Sequence, residues 1–170
     1  YEAFELERLA ADEGPPDLCS LPRPVVGYVG GVHQWIDQPL VCAVADALPE
    51  ASIVLVGPRQ TDVSALESRP NVHLLGARRH AQLPAYIKGF DVGLVPYRLS
   101  EYTAHVYPTK LNEYLAMGIP VVTTALEEVG RFTAKHGNVV KLAADRDLFV
   151  ESVRAALGPS NSADVQRRIE

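Results

Sequence analysis

Residues 107–124, YPTKLNEYLAMGIPVVTT, decide the fold class. They read as a short helix that runs at once into a buried strand. Pro108 suits a first helical turn, where a missing N–H costs nothing and φ is already set. Leu111 and Leu115 are four apart and make one apolar face; Lys110 and Glu113 are three apart and share another. Gly118 is placed to end the helix, because glycine tolerates positive φ. Ile119-Pro120-Val121-Val122 then begins a β-branched run of the kind buried in a parallel sheet. A cation and a carboxylate therefore stand near a helix start beside a buried strand. That arrangement suits a phosphorylated ligand carrying hydroxyls.

The same alternation continues outward. Strands are expected over 25–30, 52–56, 72–75, 91–95 and 139–142, with helices over 40–48, 81–88 and 145–157. Short apolar strands separated by helical segments predict an α/β fold: a Rossmann-like parallel sheet with helices on both faces. In such sheets ligands sit beyond the carboxyl ends of the strands. Chemistry is thus expected in segments 30–37, 57–62, 76–80, 96–107 and 123–129. Residues 1–11 read as a short helix. Residues 12–24 carry four prolines and read as a linker, so 1–24 is expected to be an extension from a preceding domain. The domain proper is expected over 25–157, and 158–170 as a loose polar tail.

The totals narrow the class. At 170 residues the chain can bury one core, and 47% apolar with 22% charged residues is ordinary for a soluble globular protein. A net charge of −5 argues against a non-specific nucleic-acid binder. No apolar run approaches a spanning helix, and the N-terminus has no basic-then-apolar signal. Cys19 and Cys42 lack CxxC spacing and read as incidental or buried thiols of a reducing compartment, so a cytoplasmic protein is expected. The five histidines show no metal-ligand spacing.

Each candidate loop carries two readings. Gly30 and Gly31 let the backbone approach a phosphate, or simply make a tight turn. The segment is neither GxGxxG nor GxxxxGK[ST], which disfavours dinucleotide and ATPase readings. His33 and Trp35 read first as a surface residue and a core residue. Gly76-Ala77-Arg78-Arg79-His80 offers basic side chains to a base, ribose or phosphate, or forms a solvated turn. Arg98 either reaches a diphosphate or pairs with Glu101. Lys110 and Glu113 either pair with each other, worth about 0.2–0.5 kcal/mol, or split: the lysine neutralises phosphate while the carboxylate takes two vicinal hydroxyls.

The run PTKLNEYLAMGIPVVTT resembles a segment of the group 1 glycosyltransferases of GT-B fold that reads roughly P-x-K-x-x-E-Y-x-A-x-G-x-P-V-V. GYVGGVHQWID is similar to that family's first donor-domain strand and loop, and VHLLGARRHAQLPAYIKGFDVGLVPYR to its middle portion. The resemblance covers residues 25–157 in order. It implies the C-terminal, nucleotide-sugar-holding domain of a retaining, hexosyltransferase-like enzyme, with an acceptor-binding N-terminal half outside this chain. It further implies a nucleoside diphosphate sugar as substrate, no metal or other cofactor, no nucleic-acid partner, and any peripheral membrane contact through that other half.

The resemblance also implies roles. Glu113 would bind ribose hydroxyls, Gly30 and Gly31 would lie by the diphosphate with His33 beside them, and the loop containing Arg78 would lie near the base. His105 stands where many relatives carry a second Glu, and would fall near the donor sugar. Gly31 and Asp37 stand where relatives place an Arg and a Lys that clamp the diphosphate. Lys110 and Arg98 are the expected catalytic replacements. The alternative is a glycosyltransferase-like domain that binds or scaffolds without catalysing.

Overall fold

Six β-branched, turn-bounded segments form the strands: β1 (Val25–Val29), β2 (Ser52–Val56), β3 (Val72–Gly76), β4 (Val92–Val95), β5 (Val121–Thr124) and β6 (Val140–Ala143). They make one sheet in the order β3-β2-β1-β4-β5-β6, and every neighbouring pair is parallel. β1, β2, β4 and β5 are buried along their whole length, as strands covered on both faces must be. The computed structural model describes residues 14–159 and, beyond them, Val165, Arg168 and Ile169. The helix expected over 1–11 lies outside the described residues.

Eight helices occur in residues 14–159: α1 (Pro16–Cys19), α2 (Gln38–Ala47), α3 (Ser64–Glu67), α4 (Leu83–Lys88), α5 (Glu101–Ala104), α6 (Lys110–Ala116), α7 (Glu127–His136) and α8 (Arg146–Ala156). A 3-10 turn over His80–Gln82 leads into α4. Helices α2, α3 and α8 cover one face of the sheet, and α4, α6 and α7 the other. Asp37 caps α2 by accepting from the Leu40 N–H, and Asp145 caps α8 in the same way at Leu148. Gly118 has φ +70, which lets the chain turn from α6 into β5.

Two departures from expectation have local causes. The segment 123–129, singled out for its place at a strand end with no helix expected after it, leads into the ten-residue α7, whose polar composition hid a stripe containing the buried Val129 and Thr133. Helix α6 begins at Lys110, because Pro108 forms only the preceding turn through the Leu111 N–H to Pro108 O bond. The expected linker is pinned down from residue 14 onward. Leu18 is buried, Pro22 O accepts from Ser52 Oγ, and Arg23 pairs with Asp91 at 2.6 Å. In the expected tail, Arg168 donates to Gly118 O at 2.9 Å. Among the described residues, no helix is long and apolar enough to cross a membrane.

Candidate functional site

The strand order reverses direction between β1 and β4, and a parallel sheet opens a crevice at the carboxyl ends of such a pair. The β1–β4 register runs only through Val26↔Val92 and Gly27↔Gly93. Beyond it a side chain replaces the ladder. The Tyr114 hydroxyl accepts from the Val29 N–H at 2.9 Å and donates to Leu94 O at 3.4 Å. Gly93 makes room for this: a Cβ there would stand 2.7 Å from the Tyr114 ring. Tyr114 thus anchors α6 across the switch point, with Leu111 and Leu115 buried beside it.

This anchoring brings the start of α6 over the crevice. The Lys110 ammonium donates to the Tyr97 hydroxyl. It lies 4.7 Å from the centre of the Tyr97 ring and 5.0 Å from that of Tyr28, so the charge is held by one hydroxyl and two aromatic faces. Gly30 lies directly beneath. Its φ is +134, and a Cβ there would stand 2.8 Å from Tyr28 Oη and 3.2 Å from Lys110 Cε. The Tyr28 hydroxyl donates to Gly31 O at 3.1 Å. Gly31 is covered by Gln60, whose Oε1 would be 2.4 Å from a Cβ at position 31. The loop after β2 therefore occupies the space of a side chain at 31.

Glu113 sits one turn further along α6 and is only 9% exposed. Of the two readings of Lys110 and Glu113, the i,i+3 pair does not form: Lys110 turns to the Tyr97 hydroxyl, and the carboxylate has no hydrogen bond or ion pair among the described residues. Burial pushes its pKa above the usual carboxylate range, while the charges of His80 and Lys110 pull it back. The carboxylate oxygens have no partner among the described residues and are open to a hydrogen-bond donor, and carboxyls perturbed in this way concentrate at functional sites. His33 is half-buried, and its Nδ1 accepts from the Trp35 N–H at 3.2 Å. Burial, and then the Lys110 charge, hold its pKa below the usual histidine value. The neutral ring consequently keeps Nε2–H as a donor.

Gly30, Gly31, His33, Lys110 and Glu113 are thus gathered at one crevice. The other expected site residues are placed differently. Arg78 is bound to Asp17 at 2.6 Å and to the Tyr86 hydroxyl at 2.6 Å, with its guanidinium 5.5 Å from the Tyr86 ring centre. Arg98 is exposed; its backbone N–H donates to Trp35 O, and no ion pair with Glu101 forms among the described residues. His105 is exposed where α5 ends. No described contact joins Arg78, Arg98 or His105 to Lys110 or Glu113. Asp37 is the cap of α2. Among the described residues no three His, Cys, Asp or Glu side chains gather as a metal site requires.

Sequence reasoning missed the two tyrosines that hold Lys110. Their signal was positional: Tyr28 stands near the end of β1 and Tyr97 just beyond β4, the two strands that flank the reversal. Trp35, expected in the core, is 37% exposed.

Residues 23–158 match the family model described as Glycosyl transferases group 1. The chain belongs to the group 1 glycosyl transferases. Within this family it is 34% identical over 134 residues to the putative teichuronic acid biosynthesis glycosyltransferase TuaH of Bacillus subtilis (strain 168), an alignment covering 75% of this chain and 34% of TuaH. The chain thus spans about a third of that curated relative. Its fold is shared with WaaG, a glycosyltransferase involved in lipopolysaccharide biosynthesis: TM-score 0.65, 20% identity, covering 87% of this chain and 42% of WaaG. It is shared equally with the E. coli trehalose-6-phosphate protein bound with UDP-2-fluoro glucose: TM-score 0.62, 15% identity, covering 97% of this chain and 43% of that one. These group 1 and GT-B likenesses agree with the Rossmann-like sheet described above.

Proposed function

We propose that this group 1 glycosyl transferase domain is the donor-binding, C-terminal half of a retaining GT-B enzyme, which moves a sugar from a nucleoside diphosphate sugar to a hydroxyl acceptor. The observation that carries the reading is the Lys110 ammonium held over Gly30 at the switch point, with the unpaired Glu113 carboxylate one turn away. The diphosphate lies along Gly30 and Gly31, where its charge meets Lys110. The two Glu113 oxygens take the two ribose hydroxyls, which ends their lack of partners. The UDP-2-fluoro glucose of the E. coli neighbour supports the ligand class.

In the reaction, the bond from the anomeric carbon to the diphosphate oxygen breaks. The acceptor oxygen bonds to that carbon on the same face, and the acceptor proton leaves with the diphosphate. Negative charge grows on the departing diphosphate, and Lys110 is already in place to meet it. The Tyr97 hydroxyl and two ring faces fix the ammonium before the ligand arrives, so little reorganisation is needed.

Calorimetric titration with UDP, GDP and ADP tests this reading. At least one should bind, and Glu113→Ala should weaken it. An unchanged affinity removes the ribose role. Failure of all three to bind favours a non-catalytic binding domain, a reading to which Asp37 as a helix cap and Gln60 over Gly31 lend support.

A further inference from the structure

The loop after β1 holds fewer free donors than its two glycines suggest. The Gly30 N–H donates to Val56 O, the Val32 N–H to Pro58 O and the Gln60 N–H to Val32 O, each at 2.9 Å. Val32 and Arg59 form an isolated parallel bridge in the same place. The pairing of β1 with β2 is thus carried past the strand ends into the two loops. They pack closely there: a Cβ at Gly57 would stand 1.9 Å from Gly30 O. Over residues 30–32, two of the three backbone N–H groups are consequently spent within the protein. The Gly31 N–H is the one left without a partner among the described residues.

Gln60 lies on that same residue. From the Cβ position at 31, its Oε1 is 2.4 Å and its Nε2 3.5 Å away. Its backbone is fixed by the bond to Val32 O, but its side-chain amide has no hydrogen bond among the described residues, and the residue is exposed. The neighbouring cation is held elsewhere, since Arg59 pairs with Glu67. An amide bonded in place would close Gly31 to a ligand. An unbonded one can turn its two Nε2–H donors to whatever lies along the glycines. Lys110 stands over Gly30, its Cε 3.2 Å from the Cβ position there. Ammonium and amide therefore flank consecutive residues, whose Cα atoms are about 3.8 Å apart.

We propose that Gln60 is a donor-binding residue whose side-chain amide, together with the Gly31 N–H, hydrogen-bonds the diphosphate that Lys110 meets over Gly30. Two linked phosphates match two sets of donors over consecutive residues. Lys110 brings the charge. The amide and the N–H bring direction, because a neutral donor holds a phosphate oxygen well only along its N–H bond. The arrangement also accounts for the glycine at 31, where any Cβ would take the place of the Gln60 amide. The proposal rests on the donor reading of Lys110 and Glu113, and adds to it a contact from the loop after β2.

Calorimetry on the full chain tests it with UDP, GDP and ADP and, for each diphosphate that binds, with its free nucleoside. Gln60→Ala should weaken the diphosphate about tenfold, as expected when a hydrogen bond to a charged group is lost, and leave the nucleoside unchanged. Gln60→Glu keeps the shape, puts a carboxylate where the donor was, and should weaken the diphosphate further. Both variants should keep the parent's urea midpoint, since this side chain bonds nothing in the folded chain. A diphosphate affinity unchanged in Gln60→Ala overturns the proposal. So does a tighter one, which would make Gln60 a cover over Gly31, and so does an equal loss for the nucleoside. Lys110→Met and Glu113→Ala are titrated alongside. If they weaken the diphosphate while Gln60→Ala does not, the donor reading stands and Gln60 is struck from it. If none of the three diphosphates binds the parent chain, both fall.

Discussion

The Lys110 ammonium donates to the Tyr97 hydroxyl and sits 4.7 Å from the centre of the same ring. The two residues come from opposite ends of one crossover: Tyr97 follows β4, and Lys110 opens the helix that precedes β5. Their contact holds a charge over the switch point before any ligand is present. Lys110→Met keeps the packing stem and removes the charge. It should weaken nucleoside diphosphate binding about tenfold or more, as expected for a charge-assisted hydrogen bond, and leave free nucleoside binding unchanged. Calorimetry with UDP and uridine reads both. Equal losses for the two ligands would place Lys110 elsewhere than on the diphosphate.

Glu113 sits where burial disfavours its charged form. Burial raises its folded-state pKa, with His80 and Lys110 opposing. A carboxyl whose pKa is raised on folding stabilises the fold when protonated. That contribution is full below the unfolded value and is lost as pH rises through the folded one. Glu113→Gln should therefore melt higher than the parent at neutral pH, with the difference closing as the solution is acidified. The same variant should bind nucleotide more weakly. A Gln variant that melts lower at neutral pH would show that the carboxylate has a partner in the folded chain.

Much of this was legible in the sequence, for identifiable reasons. β-branched runs ending in Gly or Pro made the strands readable, because a strand buried on both faces has no polar period to confuse. Lys110, Glu113, Gly30 and Gly31 stood out as candidates because they follow strands or open a helix, where a parallel sheet binds ligands, and the fold does bring Gly30 beside Lys110. Contacts between distant segments were not legible. Arg78 looked free to meet a ligand, since nothing local announces that Asp17, 61 positions away, holds it. Tyr97 gave no sign of its lysine, and Trp35 looked like core because a lone indole says nothing of the Tyr102 ring that half covers it. Helix α7 was missed because only a thin stripe of it is buried.

Asp17 ties the start of the described chain to the base of α4. Burial raises its pKa, but hydrogen bonds from Arg78 and Tyr86 outweigh this and hold it below the usual carboxylate range. Its stabilising effect is thus present above the unfolded value and lost as pH falls through the folded one. The side chain is 38% exposed, so solvent screening limits the pair to about 0.2–1 kcal/mol. Asp17→Asn should lower the melting temperature slightly at neutral pH, and the gap should vanish in acid. A gap that persists in acid would assign the effect to packing.

Tyr114 offers the sharpest test of how the fold builds the site. Its hydroxyl is the partner of both Val29 N–H and Leu94 O, in the gap that the diverging β1 and β4 leave. Tyr114→Phe keeps the ring on Gly93 and strands a buried donor and a buried acceptor. An unmet buried polar group costs about 1–3 kcal/mol, so the variant should lose stability in that range by urea unfolding, with the denaturant slope unchanged. The loss should reach the ligand as well. Helix α6 carries Lys110 and Glu113, and this hydroxyl ties it to both strands at the switch point. Nucleotide affinity should therefore fall even at temperatures where Tyr114→Phe is fully folded. A variant that is destabilised yet binds nucleotide as the parent does would show that the apolar contacts of Leu111 and Leu115 suffice to position α6.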